Sequence, residues 1–429
     1  MKGVAALKRS VLFGVLLIAL VAAPRAWAAE QPVQYVVHAN ELQLAVYEQV
    51  AAEFTEATGI PVQIITTTGG QKGKWERVIT LVAGGLSPDV VGGVSTEFGE
   101  FAVKGMLRPL DDLIARSNVP IDRLIPPVVE ALQFQGQQYL LPYGASVLTM
   151  FYNQHHFDRA GLNYPPREWN TAEWTYDAFV QNAQKLTIRD ADGRIAQYGV
   201  AGYFWDSWIT LPYPWGGRWV SDDLRTFLGT SEEAVASLQA FQDLIYEYEV
   251  MPAGGGLGNF TSGRGSMAGL GTWNLLSLVE STEPWEFMPW FRVKERAQAA
   301  INPVGYGILT TAPNLEGAWE FIRWITWNEK ANLDYAIAAG AIPALLDNLP
   351  AWREHWERVI GRPVLTDLVI QQAALHGAII QIRKSPAFWA INDIMNAVAA
   401  DVTANRKSAR AAISEVAETI QRMLEEAAP

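Results

Sequence analysis

Residues 33–68 read VQYVVHANELQLAVYEQVAAEFTEATGIPVQIITTT. VQYVVHAN is a short β-rich run that ends in polar residues. In LQLAVYEQVAAEFTEATG, Leu42, Val46, Val50 and Phe54 recur every four residues, and Gly59 stands where a helix C-cap belongs. IPVQIITTT reads as a second strand, QKGKWERVITLVAGG as a second helix ending on glycine, and PDVVGGV as a third strand. Strand, helix, strand, helix, strand in that order implies right-handed crossovers and a parallel sheet. Ligands of such sheets bind beyond the carboxyl ends of the strands, here the loops HANE, TTTGGQK and SPDVVGG.

Outward from this stretch, the N-terminus reads as a secretory signal. Lys2, Lys8 and Arg9 precede VLFGVLLIALVAA, and Ala26-Trp27-Ala28 offers a small-x-small cleavage site, so residues 1–28 are expected to be removed. The whole chain carries 33 Lys and Arg against 45 Asp and Glu, and loss of the signal takes away four basic residues and no acidic one. The mature segment is acidic. Nucleic acid and anionic lipid both need a basic face, so neither is expected as a partner. Cysteine is absent, which excludes a disulfide scaffold and a lipid attached through cysteine; a free periplasmic protein is expected rather than a lipoprotein. Some four hundred residues exceed what one core usually holds, and two lobes are expected.

Farther along, TAEWTYDAFVQNAQKLT has helical period through Trp174, Phe179, Ala183 and Leu186, and AQYGVAGY resembles a strand. Thr230 with Glu233 is a candidate capping box for SEEAVASLQAFQDLIYEY. INPVGYGILT is read as bend-rich, while EGAWEFIRWITWNEKANLDYAIAAG and the last eighty residues are read as mostly helical. No internal repeat or long linker interrupts these pieces. They fit two α/β lobes joined by short crossings.

Candidate binding residues follow from this layout. Asn40 and Glu41 end the first strand, Thr68 and Gln71 follow the second, and Asp89 adjoins the third, where ligand-contacting polar groups belong; helix capping is the competing role for Thr68 and Gln71, and ordering of the strand start for Asp89. Tyr143, in LPYG, and Tyr306, in VGYGIL, are tyrosines beside glycines that either contact ligand or pack inside. FTSGRGSMAGLGTW runs through glycines up to Trp273, an indole for core or cleft. GYFWDSWITLPYPWGGRW brings Trp205, Trp208, Trp215 and Trp219 together; Trp205 and Trp215, beside polar groups, are the cleft candidates. Trp75 reads as helix face, and Trp319, Trp324 and Trp327 as core.

Four stretches in order carry a resemblance: GQKGKWERVITLVAGGLSPDVV, LTMFYNQHHFDRAGLNYPPREW, FTSGRGSMAGLGTW and EGAWEFIRWIT. Together they resemble the extracellular solute-binding proteins of ABC importers, specifically the family 1 group that includes maltose-binding protein, over nearly the whole mature chain. The resemblance implies an α/β fold of the periplasmic binding protein type, type II, in which two α/β lobes enclose a ligand cleft. It implies a first lobe of 29–145 and 299–345 and a second of 146–298 and 346–429, with crossings near 143–150, 295–305 and 345 that put Tyr143 and Tyr306 at the hinge. It implies a solute, expected to be a di- or oligosaccharide, delivered to the transmembrane subunits of an ABC permease by a monomer. In that family the tryptophan matching Trp273 often lies under a sugar ring, and the region of Trp389 sometimes supplies a further aromatic contact. Proteins of the same shape also hold glycerol phosphates, polyols, peptides or iron. A phosphate would want convergent cations, for which Arg218, Arg264 and Lys72 are candidates.

No enzyme reading gathers comparable support. There is no Gly-x-Ser-x-Gly, cysteine chemistry is impossible, and GGQKGK lacks the ending of a phosphate loop. A glycoside hydrolase would need two carboxylates flanking a bond, and no motif points to such a pair. His38, His155, His156, His355 and His376 are dispersed, so no metal and no cofactor are expected.

Overall fold

The computed structural model describes residues 31–202 and 207–427. The expected signal segment 1–28 and Trp205 lie outside them. The chain begins with β1 (Val33–His38), α1 (Glu41–Thr58), β2 (Val62–Thr67), α2 (Gly70–Ala83) and β3 (Val90–Val94), and β1 pairs in parallel with both β2 and β3. Val50 and Phe54 of α1 are buried, whereas Leu42 is 69% exposed in its first turn, outside the apolar stripe. Gly59 closes this helix in the left-handed region at φ 80°.

Next come β4 (Leu140–Asn153), α3 (Tyr176–Leu186), β5 (Ile195–Gly202), α4 (Glu232–Tyr246), β6 (Gly265–Gly271), β7 (Trp285–Met288) and β8 (Ala299–Ile308). The path through the sheet is β2-β1-β3-β8-β4-β6-β5. LLPYGASVLTMFYN has no charged residue and all fourteen positions are buried, as a strand covered on both faces requires. Its Leu140–Val147 half pairs antiparallel with β8, and its Leu148–Tyr152 half pairs antiparallel with β6. One strand thus serves both lobes.

Two expectations need correction. INPVGYGILT is the inner strand β8, not a chain of bends; its Pro303 lacks a ladder donor, and the register with β4 shifts nearby, between Val304 and Gly305. The N-cap of α4 is Ser231, whose hydroxyl accepts from Ala234 N at 3.3 Å, one residue beyond Thr230.

The C-terminal third holds α5 (Leu315–Trp327), α6 (Glu329–Ala338), β9 (Gly377–Ile379), α7 (Phe388–Thr403) and α8 (Ala409–Ala427). Helices α5 and α6 pack on the first lobe, where Trp319, Phe321 and Ile322 share a core with Tyr35, Phe54 and Tyr335. Helices α7 and α8 belong with α4: Gln242 Nε2 donates to Val402 O at 2.9 Å and to Lys407 O at 3.0 Å. Between them β9 pairs in parallel with β8, and Lys384 Nζ donates to Gln133 O at 3.0 Å, so residues 377–385 run back against the first lobe.

Candidate functional site

A cleft of about 560 Å³ opens where β1, β2 and β3 end, against the middle of β4 and β8. The first lobe lines it with His38, Gln43, Tyr47, Gln71, Lys72 and Glu97; the central strands add Tyr143, Ser146, Leu148 and Asn302; Trp273, Ile380, Arg383, Phe388, Trp389 and Asn392 complete it. Polar groups at strand ends therefore share one space with several aromatic rings. Such a mixture can hold a ligand that has both apolar faces and hydroxyl edges.

Hydrogen bonds fix the polarity of several walls. His38 Nδ1 lies 2.9 Å from Thr67 O; a carbonyl only accepts, so Nδ1 carries the proton and a neutral ring leaves Nε2 as acceptor. Asn40 and Gln43 form a capping box at the start of α1: Gln43 N donates to Asn40 Oδ1 at 2.9 Å, and Asn40 N donates to Gln43 Oε1 at 3.0 Å. Glu97 is 2% exposed and takes a bond from Ser95 N at 3.2 Å through Oε1. Arg383 Nη1 donates to Asn302 Oδ1 at 3.1 Å, joining the 381–384 turn to β8.

Trp273 follows β6 and stands half-buried in the cleft wall. Two glycines make its seat. A Cβ on Gly271 would fall 2.2 Å from the indole ring, and one on Gly340, whose φ is +60°, would fall 2.5 Å from the Trp273 Cα. Trp389, on the first turn of α7 beside buried Phe388, is half-buried in the same cleft.

Of the residues singled out from sequence, Gln71, Tyr143 and Trp273 meet here, with Trp389. Lys72 stands at the cleft lip, Trp205 lies outside the described residues, and the rest stand elsewhere. Asn40 caps α1, Glu41 is exposed in its first turn and Thr68 is exposed beside the cleft lip without lining it. Asp89 is buried and accepts from Gln34 N at 2.8 Å and Asn314 N at 2.6 Å, tying β1 to the start of α5; burial nevertheless holds its carboxyl above the usual range. Tyr306 is fully buried under the cleft floor, its ring 5.1 Å from that of Tyr143. Trp215 packs on Tyr176 and Phe291 at 5.3 and 5.7 Å. Trp208 and Trp219 are buried against one another. Trp75 stacks on Phe101 at 3.6 Å inside the first lobe.

Gln43, Tyr47, Glu97, Asn302 and Arg383 were not legible as site residues. Glu97 lies eight residues past the Pro-Asp of the third strand, and only the 3-10 turn Thr96–Phe98 brings it back to the cleft. Asn302 sits in the stretch read as bends. The cations considered for a phosphate do not converge: Arg218 pairs with Asp222 on the surface, Arg264 is exposed, and Lys72 reaches Asp393 at 3.4 Å across the cleft lip. Among the described residues no group of three His, Cys, Asp or Glu is placed to hold a metal, and no helix is long and apolar enough to cross a membrane.

The fold has well-matched counterparts among solved structures. An ABC substrate-binding protein from Listeria monocytogenes in complex with cycloalternan aligns with a TM-score of 0.74 at 20% identity, covering 92% of this chain and 98% of that one. UgpB from Mycobacterium tuberculosis in complex with glycerophosphocholine aligns at 0.77 and 16% identity, covering 92% and 99%. The maltose/maltodextrin-binding domain MalE from Bdellovibrio bacteriovorus bound to maltotriose aligns at 0.70 and 17% identity, covering 92% and 99%. In sequence, the maltotriose-binding protein of Pyrococcus abyssi is 24% identical over 322 residues, which span 72% of this chain and 65% of that relative. Residues 38–331 match the family described as bacterial extracellular solute-binding protein, and the chain belongs to that family.

Proposed function

We propose that this protein captures a neutral di- or oligosaccharide between its lobes and presents the closed form to the permease of an ABC importer. One observation carries the reading: the indoles of Trp273 and Trp389 line the same cleft as Gln43, Gln71, Glu97 and Asn302. A pyranose offers axial C–H groups to an aromatic plane and hydroxyls to polar edges. The cleft, at about 560 Å³, has the size of small-molecule sites, which run roughly 300–1,000 Å³. The sugars named with the Listeria, Bdellovibrio and Pyrococcus proteins are of this chemistry.

The glycerophosphocholine of the Mycobacterium protein marks the second reading, a phosphorylated solute. Arg383 favours it, but Glu97 shares the cleft and opposes an anion there. In the sugar reading the binding residues are Gln71, Tyr143 and Trp273, joined by Gln43, Glu97, Asn302 and Trp389. Binding proceeds without chemistry. The lobes, 29–145 with 299–345 and 146–298 with 346–429, close because the ligand prefers the closed state. Residues 1–28 direct export, and the mature monomer is released to the periplasm without a lipid.

The test is a thermal-shift screen of the mature protein against mono-, di- and oligosaccharides, polyols, glycerol phosphates and short peptides, since a ligand of the folded state raises the melting temperature. A shift with one sugar family, with the sugar recovered unaltered, supports the proposal. A shift with phosphorylated compounds alone replaces the ligand, and turnover of a sugar replaces the function.

A further inference from the structure

The stretch GGQKGKW places a lysine in an unusual position. Lys74 is on α2 yet wholly buried, and its Nζ donates to Gly92 O and Gly93 O, each at 2.9 Å, and to Gln71 Oε1. Lys74 does not line the cleft, but Gln71 and Gly93 do. An ammonium has three donors and no acceptor, so the side-chain oxygen of Gln71 must face it. The N–H pair of Gln71 is then left for the cleft. A glutamine on an open surface would rotate freely between donor and acceptor; this one is held as a donor.

We propose that Lys74 is a positioning residue of the ligand site, a buried cation that ties α2 to the end of β3 and locks Gln71 with its amide hydrogens toward an acceptor oxygen of the bound solute. The inference rests on the sugar-binding reading for its ligand, a neutral polyhydroxylated compound, and not for the lock itself. Gln43 supplies the same polarity on the neighbouring wall, because its Oε1 already accepts from Asn40 N at 3.0 Å. Two amides of the first lobe thereby read lone pairs, while Glu97 on the same wall is an acceptor. A solute that offers both donors and acceptors along one edge, as a sugar does, matches this wall.

The lock is built to be titrated. Burial pushes Lys74 down to about 8, opposed by the nearby Glu97 carboxylate. Around it stand Gln71 of its own helix, the Gly92 and Gly93 carbonyls of β3, Glu97 of the following turn, and the Tyr35 hydroxyl of β1, which lies against Gly92. His38, farther along β1, is turned to Thr67 O. A neutral Lys74 has two donors for three acceptors, and its lone pair permits Gln71 to turn over.

The experiment measures maltotriose affinity by calorimetry between pH 6.5 and 9.5 for the mature wild type, Lys74→Met and Gln71→Glu. Gln71→Glu keeps the size and the bond to Lys74, presents no donor, and is expected to fold. Wild-type affinity should fall as pH rises through about 8. Both variants should bind about tenfold or more weakly at pH 7, without that break. Unaltered affinity of Gln71→Glu, or a break that persists in Lys74→Met, overturns the assignment. If the wild type does not bind maltotriose, the malto-oligosaccharide reading fails by itself. The lock is then read without ligand, from the Gln71 side-chain amide in ¹⁵N-glutamine-labelled protein: a shift step near pH 8 that Lys74→Met abolishes supports it, and a flat wild-type profile sinks it.

Discussion

Trp273 answers the question its glycines raise. The indole is half-buried: one side rests in the space left by Gly271, and the other contributes to the cleft. The glycine corridor has two uses, since the seven residues of β6 pair closely with β4 and β5 before its last glycine accommodates the ring. Trp273→Ala should weaken solute binding by one to two orders of magnitude, about 1.4 to 2.8 kcal/mol. Calorimetry with the solute found by thermal shift checks this, and unchanged affinity would assign the indole to packing alone. Sequence reading pointed to Gln71 because strand ends follow from chain order, and to Tyr143 and Trp273 because the family resemblance implied a crossing and an aromatic contact there; all three line the cleft. It did not foresee the capping box that occupies Asn40 or the buried bonds that occupy Asp89, because a polar side chain at a strand end serves ligand and backbone equally well until its neighbours are known.

Individual elements were legible where one periodicity dominated. β1, α1, β2, α2 and β3 announce themselves through apolar spacing and glycine stops, whereas β8 carries Pro303, Gly305 and Gly307 and looks broken until pairing with β3 and β4 supplies its order. The start of α4 was displaced by one residue because Thr230 and Ser231 are both good caps and only geometry chooses. Ser231→Ala should cost about 1 kcal/mol in urea unfolding, and Thr230→Ala less than about half that. On the short helix Gln154–Ala160, His156 is buried with Nδ1 2.9 Å from Ser266 Oγ, and burial pushes its pKa down to about 4. The unfolded chain takes up that proton near 6.5, so stability present above that pH is lost as pH falls toward 4. Melting temperatures from pH 7 to 4 should drop less steeply in His156→Gln than in the wild type.

At the scale of the molecule, the two lobes meet along β4 and β8, and the cleft lies over that meeting. Lys72 and Asp393 form an ion pair across the lip at 3.4 Å, both largely in solvent, and such pairs contribute under about 1 kcal/mol. Asp393→Asn should therefore change solute affinity by less than about fivefold, with most of the difference gone at high salt. Ligand addition should lower the radius of gyration in X-ray scattering, and an unaltered profile at saturation would exclude hinge closure.

The division of β4 between two sheets also bears on how fast the chain can reach its native state. Its first half waits for β8, about 160 residues later, and its second half waits for β6, roughly 120 residues later. Neither lobe closes its sheet from a local segment. Chains dominated by such distant pairings fold slowly, because loop-closure entropy is spent before the contacts repay it. The cleft lies over these pairings, so it cannot take shape until both distant segments have arrived.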